Sequence, residues 1–260
     1  MFYNLKLFKQ TVLFAVFVLL FFSCEKKESQ QEITVSAAAN FTNVLKKCAA
    51  QYEAENKNTK ISLNFAATGV LSSQIVAGAP ADIFFSATEK HIDNIIEKGY
   101  AIPETKRIFA SNEIVFITPK NSTLSISSPE ELAKDELKNI ALGNSETVAA
   151  GIAAKESLVF YGVYEKIKEK AVYGETVRQV LDYVRKGEAD GGIVFYTDFL
   201  IAQNELNLKF KFDKNSHKLI NYPAVVIKNS KKRVQSEDFI NFVTSEKGKK
   251  IFSEFGYIVK

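Results

Sequence analysis

The feature that most constrains this chain is an alternation of short apolar runs with longer amphipathic stretches, which begins near residue 32. Residues 33–37 and 61–65 alternate as strands do, and residues 41–55 between them have the spacing of a helix with Asn40 as its N-cap. Parallel strands need a crossover connection of this kind. The pattern therefore predicts βαβ units, and so an α/β fold with mainly parallel sheets.

The alternation continues along the chain in two series. The first series predicts strands at 33–37, 61–65 and 82–86 and helices at about 41–55, 70–77 and 88–97. The second predicts strands at 113–118, 139–142, 191–196 and 222–227 and helices at about 129–135, 149–161, 176–186, 236–243 and 246–254. Two series suggest two lobes. Ligands of such sheets bind beyond the carboxyl ends of the strands, where helix N-termini offer unpaired N–H groups to an anion.

Residues 1–23 have the features of a secretory signal. Lys6 and Lys9 precede an apolar run at 11–22, which is shorter than the roughly 20 residues that a membrane-spanning helix needs. Because residues 1–23 contain two basic and no acidic residues, their removal lowers the formal net charge from +4 to +2. This small charge argues against nucleic-acid binding, and it means that an anion must be held by local groups.

Cys24 follows the apolar run and precedes a polar segment at 25–31. An apolar run, a small residue and a cysteine resemble the lipobox of bacterial lipoproteins, although Phe21 occupies the position where Leu is usual. The resemblance implies that Cys24 is lipidated after the signal is removed and that residues 24–31 form a tether. The alternatives are a signal anchor and an ordinary cleaved signal with an incidental cysteine.

The other chemically reactive residues form no pattern typical of catalysis or metal binding. With Cys24 lipidated, Cys48 has no disulfide partner, and its amphipathic context is typical of a small buried apolar residue. His91 and His217 stand alone, outside any metal-ligand spacing. The sequence contains no phosphate-binding loop and no nucleophile elbow. We therefore expect no enzymatic activity, no cofactor and no direct bond between the protein and a metal ion.

Four predicted strand-to-helix corners are rich in small, hydroxyl and amide residues, at 36–43, 65–71, 143–151 and 173–178. Small side chains allow backbone N–H groups to approach a ligand, and hydroxyl and amide groups add neutral donors. Ordinary helix capping would explain each corner by itself. Together with the runs at 71–87, 148–155, 192–194 and 221–226, however, the corners resemble the molybdate-binding proteins of ABC importers over residues 33–260.

This resemblance implies an α/β fold of the two-lobed periplasmic-binding-protein type (type II), with a mainly parallel sheet in each lobe and a ligand cleft between the lobes. The first lobe would comprise residues 32–111 and 226–260, and the second would comprise residues 112–225. Closure of the lobes over the ligand would then report occupancy to a permease.

The resemblance also implies which groups bind the anion. They are the side-chain and backbone donors of Asn40 and Thr68 and the backbone N–H groups of Ala150 and Val177. Many members of the family add a tyrosine hydroxyl from the strand that corresponds to 191–196, but this chain has Phe195 there. Tyr196 follows and should point to the other side of the strand, so it is a ligand only if the chain bulges.

A dianion such as molybdate, tungstate or sulfate only accepts hydrogen bonds, so neutral donors suffice and no counter-charge need be buried. Phosphate would benefit from a carboxylate acceptor, and Glu146 and Glu175 near two corners leave that alternative open. We expect an extracytoplasmic, lipid-anchored monomer that passes molybdate or tungstate to an ABC permease and its ATPase. The alternatives are a receptor for sulfate, phosphate or an organic acid, and a lipoprotein enzyme or adhesin that reuses the fold.

Overall fold

The computed structural model describes residues 31–259. The predicted signal peptide, the predicted lipidation of Cys24 and the predicted tether up to residue 30 lie outside the described residues. Gln31, which the prediction included in the tether, is the first residue of the first strand. Within the described range, none of the helices combines the length and the apolar character needed to cross a bilayer.

The first lobe contains a five-stranded sheet. Its strands are β1 (Gln31–Ala38), β2 (Thr59–Ala66), β3 (Ile83–Phe85), β4 (Arg107–Ser111) and β10 (Asn221–Val226). They lie in the order β2-β1-β3-β10-β4, with β1 parallel to β3 and β10 antiparallel between β3 and β4. The sequence prediction assigned residues 221–225 to the second lobe, whereas β10 is hydrogen-bonded in the first sheet, because the chain has already returned to this lobe at Asn221.

The second lobe contains another five-stranded sheet. Its strands are β5 (Ile114–Pro119), β6 (Ile140–Gly143), β7 (Ala171–Gly174), β8 (Gly191–Phe195) and β9 (Leu206–Lys211). They lie in the order β7-β6-β8-β5-β9, with β6 parallel to β7 and β8 and with β5 antiparallel to β8 and β9. Both sheets are therefore mixed and not mainly parallel. The reason is the connectivity: β5 and β10, which enter their sheets from the other lobe, run against their neighbours.

Helices pack against both sheets. Those of the first lobe are α1 (Thr42–Glu55), α2 (Thr68–Val76), α3 (Glu89–Glu97), α8 (Arg233–Thr244) and α9 (Glu246–Glu254). Those of the second lobe are α4 (Ala149–Phe160), α5 (Tyr164–Glu169), α6 (Val177–Arg185) and α7 (Tyr196–Ile201). Short 3-10 turns at Ala39–Phe41, Pro103–Thr105 and Glu130–Ala133 complete the connections.

A cluster of buried aromatic rings joins the two lobes. Phe41 packs edge-on against Tyr222 at 4.9 Å and against Phe109 at 5.3 Å between ring centroids, all within the first lobe. Phe195, at the end of β8 in the second lobe, packs edge-on against the same Tyr222 at 5.8 Å. Edge-to-face pairs of this kind add to the gain from burial. The core therefore continues from one lobe to the other next to the corners that the sequence singles out.

Candidate anion-binding site

Four chain corners converge on a small pocket between the lobes. It is lined by residues 38–40, 67–68, 148–149 and 176–177 together with Ala87 and Phe195. The cavity volume is about 10 Å³, which is close to the least that holds one water molecule and far below the several hundred Å³ of a pocket for a drug-sized ligand. None of these lining residues carries a charged side chain. The pocket therefore suits a small ligand that is held by neutral groups.

The first lobe contributes two polar side chains. Asn40 lies in the 3-10 turn after β1 and is 2% exposed; its Nδ2 makes no hydrogen bond of regular geometry within the described residues, although its side chain lies beside the buried hydroxyl of Tyr222. Thr68 is the first residue of α2 and is also 2% exposed; its Oγ1 accepts a hydrogen bond from the N–H of Ala87 at 3.3 Å. A buried amide donor without a partner is costly. The pocket next to Asn40 is therefore a natural place for an acceptor.

The second lobe contributes the first residues of two helices. α4 begins at Ala149 and α6 begins at Val177, and both residues line the pocket. N–H groups of a first helical turn have no acceptor within the helix and lie at the positive end of its dipole. The cap of α6, Thr176, accepts a hydrogen bond from the N–H of Gln179 at 3.1 Å, so the cap does not occupy the N–H of Val177. Ala150 is fully buried one residue deeper in α4 and is not among the lining residues.

Two glycines allow α4 to begin next to the end of β6. A Cβ atom added to Gly151 would lie 2.2 Å from the carbonyl oxygen of Gly143, and one added to Gly143 would lie 2.6 Å from Cγ1 of Val148. Real side chains do not tolerate such distances, so the close approach requires glycine at both positions. The corner at 143–151 therefore depends on glycine for its shape, and this shape brings Val148 and Ala149 to the pocket.

Phe195 and Tyr196 lie on different sides of the junction between β8 and α7. Phe195 ends the strand, is almost fully buried and lines the pocket. Tyr196 begins the helix, with the Nζ of Lys211 at 4.1 Å from the centre of its ring and with Phe199 stacked beside it. The structure therefore places Tyr196 away from the pocket. The sequence pattern indicated an unbroken strand through residue 196, but the strand ends one residue earlier.

A buried ion pair beside the pocket was missed by the sequence analysis. Arg178 follows Val177 in α6, and its Nε lies 2.9 Å from Oδ1 of Asp198, whose side chain is fully buried. The Nη2 of Arg178 donates a hydrogen bond to the backbone carbonyl of Asn40 at 3.1 Å. Burial raises the pKa of the Asp198 carboxyl to about 6, and the charge of Arg178 opposes this increase. The position of Arg178 directly after a predicted ligand was the signal that could have revealed it.

The other titratable groups singled out in the sequence lie outside the pocket lining. Glu146 and Glu175 are both exposed. Cys48 is fully buried, as predicted, and burial raises the pKa of its thiol to about 12. Across residues 31–259, no group of three or more His, Cys, Asp or Glu side chains is placed to hold a metal ion. Of the predicted site residues, Asn40, Thr68 and Val177 meet at the pocket.

Comparison with known families identifies the chain. The family model described as bacterial extracellular solute-binding protein matches residues 33–258, almost the entire described range. This chain belongs to that family. The predicted α/β fold of two lobes, typical of periplasmic binding proteins, is thereby confirmed, and the relatives are solute-binding proteins and not enzymes. As a solute-binding protein of this family, the chain acts outside the cytoplasm.

Individual members of the solute-binding family show how close the similarity is. A Bacillus subtilis protein named as a candidate ABC transporter substrate-binding lipoprotein, YvgL, is 35% identical over 90% of this chain and 89% of its own. The molybdate-binding protein ModA of Haemophilus influenzae is 32% identical over 88% of this chain and 91% of its own. The solved structure of the periplasmic molybdate-binding protein of Azotobacter vinelandii, 24% identical, superposes with a TM-score of 0.78 over 88% of this chain and 99% of its own.

Proposed function

We propose that this protein captures molybdate or tungstate outside the cytoplasm and delivers it to an ABC permease and its ATPase. The observation that carries the proposal is the uncharged pocket in which the buried Nδ2 of Asn40 meets the helix starts at Thr68, Ala149 and Val177. The two relatives named as molybdate-binding proteins support the choice of anion.

The chemistry of the pocket favours a fully deprotonated oxyanion. Such an anion offers acceptors in every direction, and hydroxyl, amide and backbone N–H groups can donate to all of them. Neutral donors and helix dipoles balance the charge without the desolvation cost of a buried cation. A phosphate that carries a proton would also need an acceptor, but Glu146 and Glu175 are exposed and lie outside the lining residues. The pocket therefore favours molybdate, tungstate and sulfate over phosphate.

Calorimetric titration of the purified protein tests the proposal. We expect molybdate and tungstate to bind with dissociation constants well below millimolar, more tightly than sulfate and phosphate. Chloride at equal ionic strength serves as the control for nonspecific anion effects. If neither molybdate nor tungstate binds below roughly millimolar, the proposal is wrong. If sulfate binds most tightly, the pocket is an oxyanion site of different selectivity.

We also propose that the protein is held at the membrane by a lipid on Cys24 and that it works as a monomer without a cofactor. The sequence before residue 31 supports the anchor, as does the name of the Bacillus relative as a lipoprotein. Cys24→Ser should release the protein from the membrane fraction of expressing cells, whereas Cys48→Ser, a buried cysteine in α1, should leave the fractionation unchanged. Membrane association of the Cys24→Ser protein would refute the anchor.

A further inference from the structure

Arg178 connects the two lobes beside the pocket. It is the second residue of α6 in the second lobe, and its Nη2 donates a hydrogen bond to the backbone carbonyl of Asn40 in the first lobe. Asn40 and the neighbouring Val177 are both pocket-lining candidates for anion binding. We propose that Arg178, held by Asp198, is a positioning residue that couples closure of the lobes to anion capture. This inference rests on the proposed anion-binding function.

The carbonyl of Asn40 receives donors from both lobes. The hydroxyl of Tyr257, in the first lobe, donates to it at 2.7 Å, and Arg178, in the second lobe, donates to it at 3.1 Å. These two bonds hold the turn whose buried Nδ2 group lies at the pocket. The two donors come from different lobes. Tyr257 lies in the same lobe as the turn, although its hydroxyl also contacts Thr197 of α7 in the second lobe, whereas Arg178 ties the turn to the helix start at Val177.

Stability alone does not explain the pair of Arg178 with Asp198. Within the described residues, the charge of the fully buried Asp198 carboxylate is stabilised by Arg178, whose Nε lies 2.9 Å from Oδ1, and by the backbone of Phe195. Burial outweighs both, since the pKa of the carboxyl is raised. A buried ion pair offsets its desolvation cost only when further hydrogen bonds satisfy both charges. A positioning role does account for the pair. The carboxylate restrains a guanidinium that is 23% exposed, and this restraint directs Nη2 to Asn40.

A second contact between the lobes is made by backbone groups. The N–H of Gly69 in α2 donates a hydrogen bond to the carbonyl of Thr147 at 2.9 Å, and a Cβ atom on Gly69 would lie 2.8 Å from Cα of Thr147. Contacts across the pocket therefore include a backbone bond, from Gly69, and a side-chain bond, from Arg178. Replacement of Arg178 removes the side-chain bond and leaves the backbone bond in place, so its contribution can be measured separately.

The test compares Arg178→Gln with Arg178→Lys, Tyr257→Phe and the control Arg185→Gln. Arg185 lies on the same helix, where it forms a surface pair with Asp182 at 3.0 Å. Each protein is titrated with sodium molybdate and sodium tungstate, and small-angle X-ray scattering measures its radius of gyration with and without the anion.

We expect Arg178→Gln to raise the dissociation constant roughly 10–100-fold, in the range of measured coupling between sites, and to reduce the contraction that the anion causes. Arg178→Lys keeps the charge and should recover part of both effects. Tyr257→Phe should weaken binding by less than roughly fivefold and keep most of the contraction, because the bond from Arg178 to Asn40 between the lobes remains. Arg185→Gln should match the wild type.

Two results would overturn the inference. One is wild-type affinity and contraction in Arg178→Gln, or in Arg178→Lys if the glutamine variant does not fold. The other is an equal loss in Arg178→Gln and Tyr257→Phe, which would assign both residues to local support of Asn40. Failure of the proposed function looks different, because the wild type itself then binds neither anion. That result would overturn this inference together with the proposed function.

Discussion

In the first lobe, Asn40 and Thr68 bring buried polar side chains to the pocket, whereas in the second lobe the first residues of α4 and α6 bring backbone to it. A side-chain donor is set by the identity of one residue. A backbone donor is set by where the helix begins, and so by caps and by glycines that allow close approach. The two halves of the pocket should therefore respond differently to substitution.

The largest effect is expected at Gly151, in the second-lobe half of the pocket, which contributes backbone groups and is called the backbone half here. In Gly151→Ala the new Cβ atom would lie 2.2 Å from the carbonyl oxygen of Gly143, so β6 and α4 must move apart. We expect a loss of about 2–4 kcal/mol in the free energy of unfolding and a fall of more than about tenfold in molybdate affinity. Chemical denaturation and calorimetric titration measure the two quantities.

Gly162→Ala is the matched control for the glycine substitution. Its φ is +69° and no heavy atom lies within 4 Å of the added Cβ, so only backbone strain of about 1–2 kcal/mol is expected. Molybdate affinity should stay at the wild-type value. If Gly151→Ala also keeps wild-type affinity, the start of α4 does not contribute to the site.

The first-lobe half of the pocket contributes polar side chains and is called the side-chain half. It is tested by Asn40→Ala and Thr68→Val. Each should weaken molybdate binding by roughly 1–3 kcal/mol, because part of the hydrogen bonding of the anion is lost, with a smaller change in the free energy of unfolding. Ser236→Ala, which removes a buried hydroxyl on α8 that has no hydrogen-bond partner among the described residues, is the control and should bind normally. Unchanged affinity in both pocket variants would mean that the site lies elsewhere.

The contrast between the two halves of the pocket also explains which parts of the site could be predicted from the sequence. Asn40 and Thr68 could be predicted from the sequence, because their side chains carry donors and because they flank predicted helix starts. The corner at 143–151 was found, and the structure brings its residues 148–149 to the pocket lining, while the backbone N–H of Ala150 in the same first turn stays a predicted ligand. The bond from Arg178 to Asn40 depends on how the lobes meet, which no local pattern contains.

The prediction of the fold, like that of the site, succeeded where a local sequence pattern decides the structure and failed where contacts between distant segments decide it. Long amphipathic helices and buried strands were located, because the spacing of their apolar residues shows the period of a helix or a strand. Five short elements were not predicted, since each has only four to six residues and too few repeats to show a period; they are β4, β7, β9, α5 and α7. The prediction also missed that β5 and β10 run antiparallel in their sheets, because strand direction follows from the path of the chain between lobes.

A smaller effect is expected from the cap of α6. Thr176→Ala removes the side chain that accepts the hydrogen bond from Gln179, which should cost about 1 kcal/mol of stability. Fraying at Val177 should also weaken molybdate binding by a factor of about two to five. Ser245→Ala is matched to it, because Ser245 caps α9 through the N–H of Gly248 outside the pocket lining. A similar stability loss with normal binding is expected there, and equal binding losses in both variants would count against a special role for α6.

The smallest effect is expected at Tyr196. The Nζ of Lys211 lies over its ring, and Tyr196 is not among the lining residues, so Tyr196→Phe removes a hydroxyl outside the pocket lining. Molybdate affinity should change less than twofold, and the free energy of unfolding by less than about 0.5 kcal/mol. Phe195→Tyr is the variant to compare with it, because Phe195 lines the pocket. A hydroxyl added there would contact either a bound anion or the residues that line the pocket. A tenfold loss in Tyr196→Phe would show that α7 unwinds when the anion binds, and that the side-chain half of the site extends into the second lobe.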